Sequence, residues 1–184
     1  MARVANSSAK VGRSPIAGIR ARSGPGPDQA GRLDILILTP WFPNRPDGWP
    51  ARYISDSAIA LARLGHRVRV GVLRGYAPPG AGRMVAPEHR GRIEADLFEG
   101  IERIREYRYP TLPRGLLRRL TNWSLDRAAG RMVADFLAER RPDIVLIQTE
   151  GLAPGVVPVS LRAGLPVIAV LHGQNTNRAY LSAG

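Results

Sequence analysis

The chain has 184 residues, is 44% hydrophobic and carries a formal net charge of +12. That size suits one domain with an appendage and an ordinary core. Cysteine is absent, which excludes disulfides and thiolate metal sites and fits a reducing compartment. No apolar run reaches the ~18 residues of a membrane span, and no apolar stretch follows the basic amino terminus as in a secretory signal peptide. Of the 27 basic residues only Lys10 is a lysine. Such charge favours anionic partners, whether nucleic acid, anionic lipid or phosphorylated substrate, without choosing among them.

Residues 1–32 are rich in glycine, proline and serine, and their six basic residues face one acid, Asp28. A segment of this kind buries too little apolar area to offset its ordering entropy, so a basic, disordered tail is expected. A basic arm for membrane or nucleic acid and an Arg-rich targeting peptide are the functional alternatives. Residues 33–184 then form the folded domain.

From Leu33 the chain alternates apolar strands and helices. Leu33–Thr39 reads as a strand buried on both faces, followed by the Pro- and aromatic-rich loop Pro40-Trp-Phe-Pro-Asn-Arg-Pro-Asp-Gly48. Pro50 suits a first helical position. Ile54, Ala58, Leu61 and Ala62 give a helix over Ala51–Leu64 its buried face, and Gly65 fits its left-handed C-cap. His66–Leu73 alternates as a second strand, and 74–92 reads as loop. Ile93–Phe98 and Ile101–Tyr107 fit a hairpin or irregular strand pair, although Glu94–Glu99 also fits a helical turn.

Gly115–Arg140 is helical in pattern, in one or two pieces. Its inward face is Leu116, Leu120, Trp123, Leu125, Ala128, Met132, Phe136 and Leu137. Asp143–Gln148 is a strand, Pro154–Ala163 a short helix that Pro158 is expected to bend, and Pro166–Leu171 a further strand. Strands joined by helical crossovers predict an α/β fold, a doubly wound, mainly parallel, Rossmann-like sheet. Ligands of such sheets bind at the carboxyl ends of the strands. The loop ending at Gly48 and the segment at His172 are therefore the first candidate sites.

Several chemistries lack their signature. Strand one is not followed by Gly-x-Gly-x-x-Gly, which disfavours a nicotinamide-dependent oxidoreductase. There is no Walker A sequence and no Gly-x-Ser-x-Gly elbow. His66, His89 and His172 include no pair at i, i+4, so the helical zinc-hydrolase motif is absent.

Four segments carry a resemblance: Ile35-Leu-Ile-Leu-Thr-Pro-Trp-Phe-Pro43, Ala60-Leu-Ala-Arg-Leu-Gly-His-Arg-Val-Arg-Val70, Pro142-Asp-Ile-Val-Leu-Ile147 and Gly164-Leu-Pro-Val-Ile-Ala-Val-Leu-His-Gly173. In this order and spacing they resemble the amino-terminal domain of retaining glycosyltransferases of family 4, whose GT-B fold has two Rossmann-like domains. The resemblance implies a metal-independent hexosyltransferase with no cofactor, using a nucleotide-diphospho-sugar as donor and a sugar or lipid-linked acceptor. It also implies a cytoplasmic enzyme. Relatives acting on lipid-linked acceptors dock peripherally at the inner face of the plasma membrane.

The family often has Gly-Gly after its first strand. Here that pair falls on Gly48 and Trp49, so only the first position matches. Gly48 also reads as a plain turn glycine in Pro-Asp-Gly. His172 and Gly173 match the family's His-Gly beside the transferred sugar or its phosphate, where an imidazole can donate a hydrogen bond near neutral pH. A strand-end histidine that caps a loop is the plainer reading. His66 lies in an architectural motif at the opposite edge.

Glu150 follows a strand and is placed either to bind acceptor hydroxyls or to cap the next helix. Gln174 and Asn175 suit sugar hydroxyls or the start of a further helix. Arg52 suits a phosphate, and Trp41, Phe42 and Trp49 suit a sugar platform or packing within their loop. Arg114, Arg118, Arg119, Arg127 and Arg131 give the long helix a basic side, for an anionic membrane or simply for solvent.

In the resembled family a second domain holds most nucleotide-sugar contacts and a paired-glutamate motif. Neither is visible here, so the expectation is an incomplete amino-terminal domain, nearly inactive without a carboxyl-terminal donor-binding domain. The rival reading is a non-catalytic basic α/β module for anionic lipid or nucleic acid. Nucleic acid is disfavoured by few aromatics and no recognisable motif.

Overall fold

The computed structural model describes residues 31–49, 51–77, 91–111 and 117–170. Among the described residues five strands form one sheet: β1 (Asp34–Thr39), β2 (Arg67–Tyr76), β3 (Arg103–Pro110), β4 (Ile144–Ile147) and β5 (Val167–Ala169). All four pairings are parallel, in the order β3-β2-β1-β4-β5. Among the described residues the α-helices that connect them are α1 (Arg52–Arg63), α2 (Arg118–Glu139) and α3 (Ala153–Arg162). The layout is the expected α/β Rossmann-like one.

Successive side chains of a strand point to opposite faces, and here each face has its own core. Ile35, Ile37, Val68, Val70 and Val72 pack with Ile54 and Ala58 of α1. Leu36, Leu38, Leu73, Val145 and Ile147 pack with Ala129, Met132, Val133 and Phe136 of α2 and Val156 of α3. This two-sided burial explains why β1 is apolar at every position but its ends. Gly65, at φ 89°, follows the last turn of α1 as expected. The helix starts at Arg52, so Pro50, outside the described residues, precedes its first turn rather than occupying it.

The segment after β2 departs from the expected hairpin. β2 continues past Leu73 to Tyr76, because β3 pairs beside it as far as Tyr76↔Pro110. Residues Ala95–Leu97 form a 3-10 turn, the helical alternative. Ile93 and Phe98 are buried against the α1-side core instead of pairing as a strand. Gly100, at φ 79°, then turns the chain into β3.

Residues of α2 expected to face inward divide into two groups. Met132 and Phe136 are buried, and Leu125, Ala128 and Leu137 are packed against the core. Leu120 and Trp123 are 52% and 62% exposed. Leu116 lies outside the described residues. Ser124 Oγ donates to the carbonyl of Pro110, the last residue of β3, at 3.2 Å. Ser124 is thus level with the sheet's carboxyl edge, and the turns before it have no strand beneath them.

Where α2 meets α3 the backbones approach closely. A Cβ on Gly155 would stand 2.4 Å from the Asp126 carbonyl oxygen and 2.8 Å from Ala129 Cβ. Two helix backbones cannot yield as a side chain can. Gly155→Ala is therefore expected to cost about 1–3 kcal/mol through overpacking, read as a lower denaturant midpoint. An unchanged midpoint would mean that the helices are not this close.

Candidate functional site

β1 and β4 are neighbours, and the chain leaves β1 toward β2 on one side and leaves β4 toward β5 on the other. That is the topological switch point of an open parallel sheet, where the crevice outside the strand carboxyl ends takes ligands. The loop after β1 and the turn after β4 flank it.

The β1 loop is built by its own side chains. Thr39, fully buried, donates from Oγ1 to the Trp41 carbonyl at 2.8 Å and accepts from the Trp41 N–H at 3.1 Å. Phe42 turns inward against Phe98, ring centroids 4.9 Å apart. The Gly48 N–H closes a turn on the Arg45 carbonyl at 2.9 Å. A Cβ on Gly48 would stand 2.9 Å from that same oxygen. The glycine is thus required by its own turn. Trp49 is 86% exposed, so of the three loop aromatics Phe42 belongs to the core and Trp49 to the surface.

The residue before α1, Ala51, is left-handed at φ 64°, a conformation that costs an L-residue roughly 1–2 kcal/mol. Its side chain does not cap the helix. The first-turn N–H groups of α1, the positive end of its dipole, face the carboxyl edge without a capping side chain. Arg52, at the first helical position, pairs with Asp56 at 3.5 Å, both well exposed. This is a solvated i, i+4 pair on the rim.

On the other flank Gln148 and Thr149 are buried polar residues at the end of β4. The Gln148 N–H donates to the Leu38 carbonyl at 2.9 Å, locking the two strand ends together. Glu150 opens a 3-10 turn, Glu150–Leu152. The cap there is Thr149, whose Oγ1 accepts from the Gly151 N–H at 3.4 Å, and no side chain caps α3. Glu150 therefore does not cap α3; its neighbour Thr149 caps the 3-10 turn that leads into that helix. The Glu150 carboxylate accepts a long contact from Thr149 Oγ1 at 3.5 Å.

β5 ends at the same edge, and the Val170 N–H still donates to the Ile147 carbonyl at 2.8 Å. His172, Gly173, Gln174 and Asn175 lie outside the described residues. Gly48 and Trp49 on the β1 loop, Arg52 at the start of α1 and Glu150 in the turn after β4 are all on the carboxyl-edge side. His66 sits at the amino edge, where Nδ1 accepts from the Leu33 N–H at 3.3 Å, an architectural contact as expected.

A residue that the sequence reading passed over stands near the site. Arg74, at the carboxyl end of β2, is 1% exposed. It donates to the Phe42 carbonyl and Asn44 Oδ1, each at 2.8 Å, and to the Gly91 carbonyl at 3.2 Å. Glu106 lies 3.3 Å away. Burial pushes the Arg74 guanidinium below its ordinary value, Glu106 pulls it back up, and Arg108 again lowers it. The signal in the sequence was positional: Arg74 continues the buried alternation Val68, Val70, Val72.

A recess of about 370 Å³ is lined by Arg69, Glu102, Arg103, Glu139 and Arg140, at the amino edge. Its charges already pair with one another, Arg140 with Glu102 and Arg103 with Glu139, and it is remote from the switch point. Among the described residues no group of three or more His, Cys, Asp or Glu is placed to hold a metal ion. Among them, too, no helix is long and apolar enough to cross a membrane.

Two crystal structures of the C-terminal domain of a hydrogenase from Pyrococcus furiosus are similar in fold, each with a TM-score of 0.51. Their sequences are 17% and 16% identical to this one, and each match covers 74% of this chain and 89% of the other. At that identity the likeness shows the fold alone. None of the curated proteins matches the sequence. The model of the glycosyl transferase 4-like domain matches residues 50–183, from the residue before Ala51 through α1, β2, β3, α2, β4, α3 and β5 to the segment beyond; β1 and the Gly48 loop precede the match. With most of its length so matched, the chain belongs to the glycosyl transferase 4-like domain family.

Proposed function

We propose that the chain is the acceptor-side domain of a retaining hexosyltransferase that uses a nucleotide-diphospho-sugar. The observation that carries this reading is the switch point between β1 and β4. The uncapped α1 N-terminus, the Gly48 turn and Glu150 lie on its carboxyl-edge side. Helix N-termini favour anionic groups such as a diphosphate. His172 would donate a hydrogen bond to the sugar or to the phosphate as negative charge develops on the leaving group. Gly173, Gln174, Asn175 and Glu150 would contact sugar hydroxyls, and Arg52 and Trp49 would border the acceptor side. The donor would be held mainly by a carboxyl-terminal domain.

The test is sugar transfer from a panel of nucleotide-diphospho-hexoses, by this chain alone and together with a donor-binding domain of the same family. The reading expects activity only in the second case. Strong transfer by the chain alone would overturn the shared site.

A second reading concerns where the enzyme works, and it rests on α2. Trp123 and Leu120 are exposed on the part of the helix that passes the carboxyl edge, with Arg119, Arg127 and Arg131 also exposed. The Arg127 guanidinium lies over the Trp123 ring at 5.8 Å. Amphipathic aromatics beside arginines suit a bilayer interface, and each basic residue near an anionic surface is worth ~1 kcal/mol. Binding to phosphatidylserine vesicles should therefore fall steeply with salt and be absent from neutral vesicles. Equal binding to both would contradict it. Tight, salt-dependent binding to an oligonucleotide would instead favour the non-catalytic basic module.

A further inference from the structure

We propose that Arg74 is a positioning residue that clamps the β1–α1 loop and the segment entering β3 into one unit over the carboxyl edge. A buried guanidinium is tolerated only where its charge and donors are met. Arg74 meets its charge and its Nη donors with groups from separate parts of the chain, while its buried Nε has no hydrogen-bond partner among the described residues. Nη2 donates to Phe42 O and Asn44 Oδ1 in the β1–α1 loop. Nη1 donates to Gly91 O and lies 3.3 Å from Glu106 Oε2 on β3.

The two segments are also stitched directly. The Glu94 N–H donates to the Asn44 carbonyl at 2.9 Å. Gly91 is left-handed, and a Cβ there would stand 2.8 Å from Asn44 Nδ2. Phe42 and Phe98 pack beneath. Neither segment can swing away from β2 without stranding the guanidinium. A planar fork satisfies several acceptors at fixed angles, which an ammonium cannot reproduce. The Gly48 turn closes on Arg45, one residue beyond Asn44, so the clamp fixes where that turn sits. The catalytic significance rests on the transferase reading above. The clamp itself does not.

Hydrogen–deuterium exchange on the whole chain, for wild type, Arg74→Met, Arg74→Lys and Glu106→Gln, tests it. With Arg74→Met, exchange should quicken about tenfold in 41–48 and 91–98, while α2, β4 and α3 keep their protection. Arg74→Lys should restore part of that protection, and Glu106→Gln should loosen the same two segments less. In a transfer assay that includes a donor-binding domain, Arg74→Lys should raise KM for the acceptor severalfold and leave kcat within about twofold. Uniform acceleration throughout the chain would reduce Arg74 to a general stabiliser and overturn the proposal. So would unchanged exchange in both segments for Arg74→Lys and Glu106→Gln, the variants best able to fold. The expected exchange pattern with no transfer from any variant would support the clamp and sink the transferase reading alone.

Discussion

Asp34→Ala is expected to destabilise the fold by about 3–5 kcal/mol, the range for breaking a buried ion pair from one side. Asp34 opens β1 and is itself buried. Its Oδ1 accepts from Arg69 Nε at 3.1 Å and Nη2 at 2.8 Å. Its Oδ2 accepts from Arg140 Nε at 2.6 Å. Arg69 is 2% exposed, and its further acceptors among the described residues are the carbonyls of Phe136 and Arg140. Removing the carboxylate leaves a guanidinium charge inside the protein without a counter-charge.

The same carboxylate joins β1, β2 and the end of α2, so its loss should reach the whole cooperative unit. The control is Asp34→Ala with Arg69→Met, which removes both charges. Apolar replacement of a buried pair is often near neutral, so the double variant should recover much of the loss. A single-variant cost below about 1 kcal/mol, the level of an exposed pair, would contradict the burial of this network. Urea midpoints of the three proteins decide it.

In a transfer assay that includes a donor-binding domain, His172→Ala is expected to lower kcat by about 10²–10³-fold, the scale for losing one donor to developing negative charge, with KM for the donor little changed. The argument is topological. β5 pairs parallel to β4 and ends at Ala169, at the edge that carries the Gly48 loop, and His172 follows three residues on. His172→Gln keeps a neutral donor and should retain more turnover than alanine. If both variants turn over like wild type, the residue has no part in the chemistry, and its place after β5 is only that of a strand-end histidine.

What the sequence disclosed follows from periodicity and strand ends. Short continuous apolar runs bounded by turn residues, such as Ile35–Leu38 before Pro40, fit strands covered on both sides, which gave the α/β class. Gly65 marked the end of α1 because the chain needs φ of 89° there. Placing Gly48 and Glu150 on the site side needed no more than knowing where their strands stop. That these two loops flank one switch point depends on strand order, a long-range property no local pattern encodes.

The strand over Ile101–Tyr107 was legible, but not its partner, because Arg-Ile-Arg-Glu-Tyr-Arg-Tyr-Pro is an edge strand of partial burial that pairs parallel with β2. Its polar alternation looks like half a hairpin. Leu120 and Trp123 fitted a helical stripe, yet helical spacing cannot reveal that the sheet stops at Pro110. Arg74 escaped notice because a charge in a buried strand position has meaning only once Phe42, Asn44, Gly91 and Glu106 surround it.

The central claim is that the carboxyl edge of this sheet is half of a sugar-transfer cleft, and backbone NMR of the chain titrated with nucleotide-diphospho-hexoses and free hexoses tests it most directly. The account predicts shift changes gathered at Thr39, Trp41, Gly48, Arg52 and Gln148–Glu150. Changes gathered at Arg69, Glu102, Arg103, Glu139 and Arg140, around the recess of about 370 Å³ on the other edge, would contradict it.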